Sequence, residues 1–171
     1  MSKIGFIGLG IMGRPMAGHL MEAGHELVTY VKSGSLDEGL AAKGMKEVDS
    51  PKAVAEQAEI IITMVPDTPD VEEVLIGEGG IVEGLQPGTL VIDMSSIAPI
   101  PTQAFAKRIT EAGGEYVDAP VSGGEGGAVN ATLTIMVGGT NEGFNRALPV
   151  LEVMGKTITH IGDHGAGQIC K

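Results

Sequence analysis

Short apolar runs alternate with stretches of helical periodicity along almost the whole chain. The apolar runs are rich in β-branched and aliphatic residues and are bounded by Gly, Pro, Asp or Ser, which predicts strands. The predicted strands are Ile4–Ile7, Glu26–Tyr30, Ile60–Val65, Leu90–Asp93, Glu115–Asp118, Leu133–Val137 and Thr157–Ile161. The amphipathic stretches between them predict helices at Met12–Ala23, Leu36–Ala42, Pro51–Gln57, Val71–Leu75, Thr102–Ala112 and Asn141–Met154.

This alternation indicates an α/β fold. Strands that are apolar on both faces and separated by helices favour a mostly parallel sheet that is covered on both sides. No repeat, Ser-rich linker or block of charge divides the chain. We therefore expect residues 1–171 to form one doubly wound, Rossmann-type domain, with the part after Gly114 as its second half.

Composition refines this picture of the core. Hydrophobic residues make up 43% of the chain but aromatic residues only 3%, so the interior must be aliphatic. The 27 glycines occur in clusters, which is typical of tight turns and close backbone approaches. The single cysteine, Cys170, has no partner for an internal disulfide, which fits a reducing cytoplasm, and we expect it to be a small buried side chain.

The charge and hydropathy of the chain exclude several classes of partner. A formal net charge of −11 disfavours nucleic acid, whose phosphates need a basic surface. No stretch approaches the ~20 apolar residues of a membrane span. The apolar run after Lys3 is broken by glycines and has no A-x-A-like exit, so we expect no secretory leader. The four histidines are scattered and form no metal-ligand pattern, so no metal is expected.

A glycine loop between the first predicted strand and helix carries the first candidate chemistry. Gly8, Gly10 and Gly13 have the spacing G-x-G-x-x-G. The first glycine permits the tight turn, the second lets the backbone approach a pyrophosphate, and the third lets helix and strand pack closely. The helix N-terminus then presents N–H groups to phosphate. The candidate dinucleotide-binding residues here are Gly8, Leu9, Gly10, Ile11, Met12 and Gly13.

The end of the second predicted strand bears on the choice between NADP and NAD. NAD-preferring domains usually carry an acidic residue at this point, to bind the ribose hydroxyls. This chain has Val31, Lys32 and Ser33 instead. An ammonium and a hydroxyl suit a 2′-phosphate that a carboxylate would repel, so NADP is favoured over NAD. The alternative is that Lys32 is only a solvated loop residue and selectivity is poor.

Four motifs together resemble those of the 3-hydroxyacid dehydrogenase family, which includes 3-hydroxyisobutyrate dehydrogenases. They are FIGLGIMGRPMAGHL, VIDMSSIAP, DAPVSGGEGGA with TLTIMVGG after it, and GDHGAGQICK. The D-M-S-S sequence and Glu125 most resemble the branch that reduces tartronate semialdehyde, and the hydroxyisobutyrate branch is the alternative. The resemblance implies a reductase that uses a nicotinamide dinucleotide and a small hydroxyacid or semialdehyde substrate.

The same resemblance assigns roles within the site. It implies that Val65 and Pro66 lie beside the dinucleotide and that Ser96 lies near its nicotinamide. Ser122, Gly123 and Gly124 would hold the substrate through a hydroxyl and backbone N–H groups. Lys171 would be the general acid/base, because reducing an aldehyde requires a proton for the developing alkoxide.

Plainer interpretations stay open for two of these features. Ser122–Gly124 also has the composition of a tight strand-to-helix turn. Asp93 and Asp118 end predicted strands at the ligand-binding edge, but helix or turn capping would explain them equally well.

Members of the family differ from this chain in two further ways. Where they usually carry a glycine, this chain has Ala131, at a predicted turn. They also continue beyond the lysine as a helical domain that covers the nicotinamide. We therefore expect an isolated dinucleotide-binding domain that turns over substrate poorly, with an apolar face that favours self-association.

A non-catalytic nucleotide-binding module is the competing class. An imine-reducing relative is disfavoured, because it would lack Lys171.

Overall fold

Nine strands form one sheet in the computed structural model, which describes residues 1–171. The strands, in chain order, are β1 Lys3–Ile7, β2 Glu26–Tyr30, β3 Lys46–Val48, β4 Ile60–Thr63, β5 Leu90–Asp93, β6 Glu115–Asp118, β7 Val121–Ser122, β8 Leu133–Gly138 and β9 Gly155–Gly162.

Nine helices connect and cover these strands. They are α1 Gly13–Glu22, α2 Glu38–Ala42, α3 Pro51–Ala55, α4 Thr68–Ile76, α5 Ile81–Gly84, α6 Pro99–Glu111, α7 Gly124–Val129, α8 Asn141–Met154 and α9 Ala166–Cys170. Local signals set several starts: the side chains of Asp37, Ser50 and Asp67 accept backbone N–H groups at the N-termini of α2, α3 and α4. None of the helices combines the length and apolar character that a membrane span requires.

The strand order places a topological switch point beside β1. The order is β3-β2-β1-β4-β5-β6-β8-β7, with β9 paired to β8, and the first six strands in this order are parallel. The chain runs outward from β1 to β3 and then crosses to β4 on the other side of β1. The loops after β1 and β4 therefore meet at the carboxyl edge, where open α/β sheets bind ligands.

Two aliphatic cores cover the two faces of the sheet. Ile4 and Phe6 of β1 belong to one core, and Ile7 belongs to the other, as the two-residue period of a strand requires. In β5, Ile92 and Val91 divide in the same way. The prediction of a mostly parallel sheet, apolar on both faces and covered by helices, is confirmed.

The second half of the sheet departs from the simple parallel pattern. Strand β8 is antiparallel to β6 and β7, and parallel to β9. The pattern did not predict β3, β7, α5 or α7, which are short, and β3 is a mostly exposed edge strand with two charged residues. Strand β9 is largely exposed, not buried on both faces. The expectation that Cys170 is buried is wrong, because the end of α9 leaves it exposed.

Candidate functional site

A cleft of about 640 Å³ opens at the switch point, between the loops that follow β1, β2 and β4. The predicted cofactor-binding residues that line it are Gly8, Leu9, Val31, Lys32, Ser33, Val65 and Pro66. Gly10, Ile11, Met12 and Gly13 continue the same loop into α1 but are not among the lining residues, and neither is Ser96. The fold thus brings three segments that are distant in sequence to one elongated cleft.

The three glycines of the loop differ in why a side chain is absent at their positions. Gly8 has a φ of +109°, and a Cβ there would lie 2.0 Å from the Met64 carbonyl oxygen. A Cβ on Gly13 would lie 1.7 Å from the Gly8 oxygen, so this glycine allows α1 to pack against the loop. A Cβ on Gly10 would meet no atom within 4 Å. Gly10 therefore serves no packing need and borders open space.

The loop fits the pyrophosphate of a dinucleotide. The backbone N–H groups of Leu9, Gly10, Ile11 and Met12 donate to no acceptor in the chain. They precede the N-terminus of α1, which carries partial positive charge. Unpaired donors grouped at a helix N-terminus are suited to an anion that supplies the missing acceptors.

Two cations line the cleft, Lys32 after β2 and Arg14 in α1, and each is paired with a carboxylate. Lys32 Nζ lies 2.5 Å from Glu73 Oε2, and this hydrogen bond raises the pKa of the lysine. Arg14, in the first turn of α1, lies 3.6 Å from Asp37. Arg14 was not predicted to lie in the site, although its position directly after Gly13 places it beside the glycine loop. The cleft therefore offers two basic groups, both partly neutralised.

A buried carboxyl group organises the loops beside the cleft. Asp93, at the end of β5, accepts hydrogen bonds from Thr63 Oγ1 at 2.9 Å, Ser95 N at 3.1 Å and Tyr116 OH at 3.1 Å. Burial raises the pKa of Asp93 to about 6, against the opposing effect of these hydrogen bonds. Ser95 Oγ in turn accepts the N–H of Val65 at 3.0 Å. Asp93 thus links the β4 and β5 loops, as a turn-capping residue does.

Lys171 and Ser96, 75 positions apart, meet at the carboxyl edge of the sheet. Lys171 Nζ donates to Ser96 Oγ at 2.6 Å, and both residues are exposed. Asp118 is buried and accepts the N–H groups of Gly165 at 2.8 Å and Gln168 at 3.2 Å, so it caps α9. The helix that precedes the lysine, α9, begins at Ala166 and ends at Cys170.

Ser122, Gly123 and Gly124 form the turn between β7 and α7 and are exposed. The N–H groups of Gly123 and Gly124 donate to no acceptor in the chain. No hydrogen bond joins this turn to Lys171 or Ser96. At the other end of α7, His19 Nε2 lies 3.1 Å from the carbonyl oxygen of Ala128, which connects α7 to α1. The turn is thus free to bind an anion, and its helix is tied to the helix of the glycine loop.

The remaining histidines make separate local contacts. His25 Nδ1 accepts from Ser2 N, His160 stacks on Phe144 with ring centroids 4.8 Å apart, and His164 Nε2 donates to Tyr116 O at 2.9 Å. No group of three or more His, Cys, Asp or Glu side chains is arranged to hold a metal ion.

Known proteins resemble this chain over nearly its whole length. It is 52% identical over 170 residues to 2-hydroxy-3-oxopropionate reductase of Escherichia coli K12, covering 99% of this chain and 58% of that protein. The structure of 3-hydroxyisobutyrate dehydrogenase of Mycobacterium tuberculosis with L-serine matches with a TM-score of 0.92 and 37% identity, over 99% of this chain and 57% of that one. These relatives confirm the resemblance that the four motifs predict.

A further structure extends the comparison to a complex with a dinucleotide. Psf3 in complex with NADP+ and 2-OPP matches with a TM-score of 0.91 and 27% identity, over 98% of this chain and 59% of that one. This chain therefore spans somewhat more than half the length of the proteins it resembles. Residues 3–162 match the family described as the NAD binding domain of 6-phosphogluconate dehydrogenase. Together with the glycine loop and its cleft, this match shows that the chain belongs to that family of NAD-binding domains.

Proposed function

We propose that this chain binds NADP in the cleft, with NAD as the weaker ligand, and is the dinucleotide-binding part of a reductase. The substrate proposed is tartronate semialdehyde (2-hydroxy-3-oxopropanoate), which is reduced to D-glycerate. The observation that carries the catalytic proposal is the contact between Lys171 Nζ and Ser96 Oγ at 2.6 Å. It joins a proton donor to the segment after β5, at the edge where the loops after β1 and β4 form the cleft.

Each residue of the proposed site would have a separate role in the reaction. When bound, the nicotinamide of the dinucleotide supplies the hydride. Lys171 would donate a proton from Nζ to the substrate oxygen as its negative charge develops, with Ser96 Oγ holding the ammonium in place. The N–H groups of Gly123 and Gly124, which have no acceptor in the chain, would bind the substrate carboxylate together with Ser122 Oγ.

Experiments can distinguish two alternative functions from this one. A 3-hydroxyisobutyrate-type enzyme would use the same residues on a semialdehyde of different shape. A non-catalytic dinucleotide-binding module is favoured by the exposure of Lys171 and Ile169, which leaves the ammonium open to water. For this reason we expect slow turnover by the chain on its own. Self-association also stays a prediction, which analytical ultracentrifugation would test.

The test is dinucleotide oxidation at high protein concentration. We expect tartronate semialdehyde to accelerate NADPH oxidation more than the semialdehyde of 3-hydroxyisobutyrate does. Lys171→Met should lower that rate about 100-fold while NADPH affinity stays within about twofold, because general acid catalysis contributes at least this much. Oxidation unaffected by Lys171→Met would overturn the role of the lysine. Binding without oxidation of any substrate would favour the module.

A further inference from the structure

We propose that Gln168 is a positioning residue, whose amide pairs with the backbone on both sides of Ser96 and thereby holds Lys171 against the Ser96 hydroxyl. Its catalytic meaning rests on the function proposed above for Lys171. Gln168 is only 8% exposed. Its Nε2 donates to Ser95 O at 2.7 Å, and its Oε1 accepts from Ile97 N at 3.1 Å.

The two hydrogen bonds fix the segment more tightly than one would. Ser95 and Ile97 immediately flank Ser96, so the amide of Gln168 is joined to the chain before and after the serine. A single hydrogen bond would let the segment rotate about the contact, whereas two hydrogen bonds from one planar amide fix its orientation as well. The backbone on both sides of Ser96 is therefore held from α9, 71 or more positions away in sequence.

Helical spacing connects this pairing to the lysine. Residues three apart lie on the same face of a helix. Lys171 N donates to Gly167 O at 3.1 Å, so the helical hydrogen-bond pattern of α9 extends to the lysine. Gln168 and Lys171 therefore reach the same three-residue segment from one face of α9, the first through Ser95 and Ile97 and the second through Ser96.

Other contacts hold the start of α9 in place. The position of the end of α9 is then determined by the pairing of Gln168. Asp118 accepts the N–H groups of Gly165 and Gln168. Gly167 approaches β8 so closely that a Cβ would lie 2.4 Å from Met136 O. With the start of α9 held in this way, the amide of Gln168 determines how the end of the helix meets Ser96.

The proposal is tested by the acylation of Lys171 in the free chain, followed with an N-hydroxysuccinimide acetate reagent and peptide mass spectrometry. Gln168→Met has a similar length but no amide, and Ser96→Ala removes the acceptor. We expect each variant to raise the acylation rate of Lys171 about threefold, the effect of losing one exposed hydrogen bond. The double variant should react no faster than the faster single variant, because both changes remove the same contact.

Controls separate positioning from general loosening. Gln103→Met removes an exposed amide on the neighbouring helix α6, whose contact with His164 O is 3.4 Å long, and should leave the rate unchanged. If Gln168→Met does not fold, Gln168→Asn takes its place in the single and double variants. It keeps the amide but is too short to reach both partners, so the same acylation rates are expected. Effects that multiply in the double variant, or an unchanged rate in the Gln168 variant, overturn the proposal. Acylation needs neither dinucleotide nor substrate, so failure of the proposed function is read separately, from the oxidation assay with Lys171→Met.

Discussion

Lys32 Nζ lies 2.5 Å from Glu73 Oε2, so the basic group proposed to meet a 2′-phosphate is already paired with a carboxylate. The pair joins the end of β2 to α4 beside the cleft, and both side chains are more than half exposed. A phosphate that binds Lys32 must compete with Glu73 and tolerate its charge. The sequence pattern favours NADP through the lysine, and the structure adds the residue that limits this preference.

Removing the charge of Glu73 should sharpen the selectivity for NADP. We expect Glu73→Gln to tighten NADPH binding about three- to fivefold, in keeping with the small energies of exposed ion pairs, and to change NADH binding less than about twofold. Calorimetric titration measures both. Glu72→Gln is the matched control, because Glu72 lies on the same helix but does not line the cleft. Equal tightening of NADPH and NADH would contradict a 2′-phosphate site at Lys32.

Two glycines of the loop should respond in opposite ways to the same added methyl group. Gly10→Ala should leave the free energy of unfolding within about 1 kcal/mol of the wild type, but weaken NADPH binding about tenfold, because the new group faces the proposed pyrophosphate position. Gly13→Ala should lower the free energy of unfolding by about 2–3 kcal/mol or more, since the Cβ overlaps Gly8 O. Denaturant unfolding and NADPH titration separate the two effects. A Gly10→Ala variant that binds like the wild type would argue against the loop as the phosphate site.

The raised pKa of Asp93 predicts a pH-dependent stability. The pKa is about 6 in the folded chain and near the ordinary value of 3.8 when unfolded, so its stabilisation is complete below pH ~4 and is lost as the pH rises through ~6. The stability of the wild type relative to Asp93→Asn should therefore fall by about 2.4 kcal/mol between pH 4 and 7, because the shift is worth ~1.36 kcal/mol per pKa unit and pH 4 lies close to the unfolded pKa. Denaturant unfolding across this range measures it. Asp49→Asn, at an exposed position, is the control, and an equal slope for both variants would contradict the buried, desolvated carboxyl.

Ala131 is the one residue other than glycine with a positive φ, at +55°. A Cβ in this conformation costs about 1–2 kcal/mol, while glycine loses more chain entropy on folding, by roughly 0.5–1 kcal/mol. Ala131→Gly should therefore raise the free energy of unfolding by about 0.5–1 kcal/mol. Ala128→Gly, a buried helical position, is the contrasting variant and should lower it. Destabilisation by Ala131→Gly would show that the turn carries no strain.

Elements set by local signals were predictable from the sequence, whereas contacts between distant residues were not. The strands β1, β4 and β5 and the glycine loop were predictable because apolar runs and glycine spacing are local signals. Strand β3 was not, since its three residues are mostly exposed and depend on pairing with β2. The pairing of Lys32 with Glu73 joins residues 41 positions apart, and only the assembled sheet brings them together. The hydrogen bonds of the Gln168 amide could not be predicted for the same reason.

We propose above all that this chain binds a nicotinamide dinucleotide through the glycine loop and prefers the 2′-phosphorylated form. Calorimetric titration of the purified chain with NADPH and with NADH tests it most directly. We expect both ligands to bind with one site per chain and NADPH to bind more tightly. Absence of binding by either dinucleotide at millimolar concentration would contradict the claim.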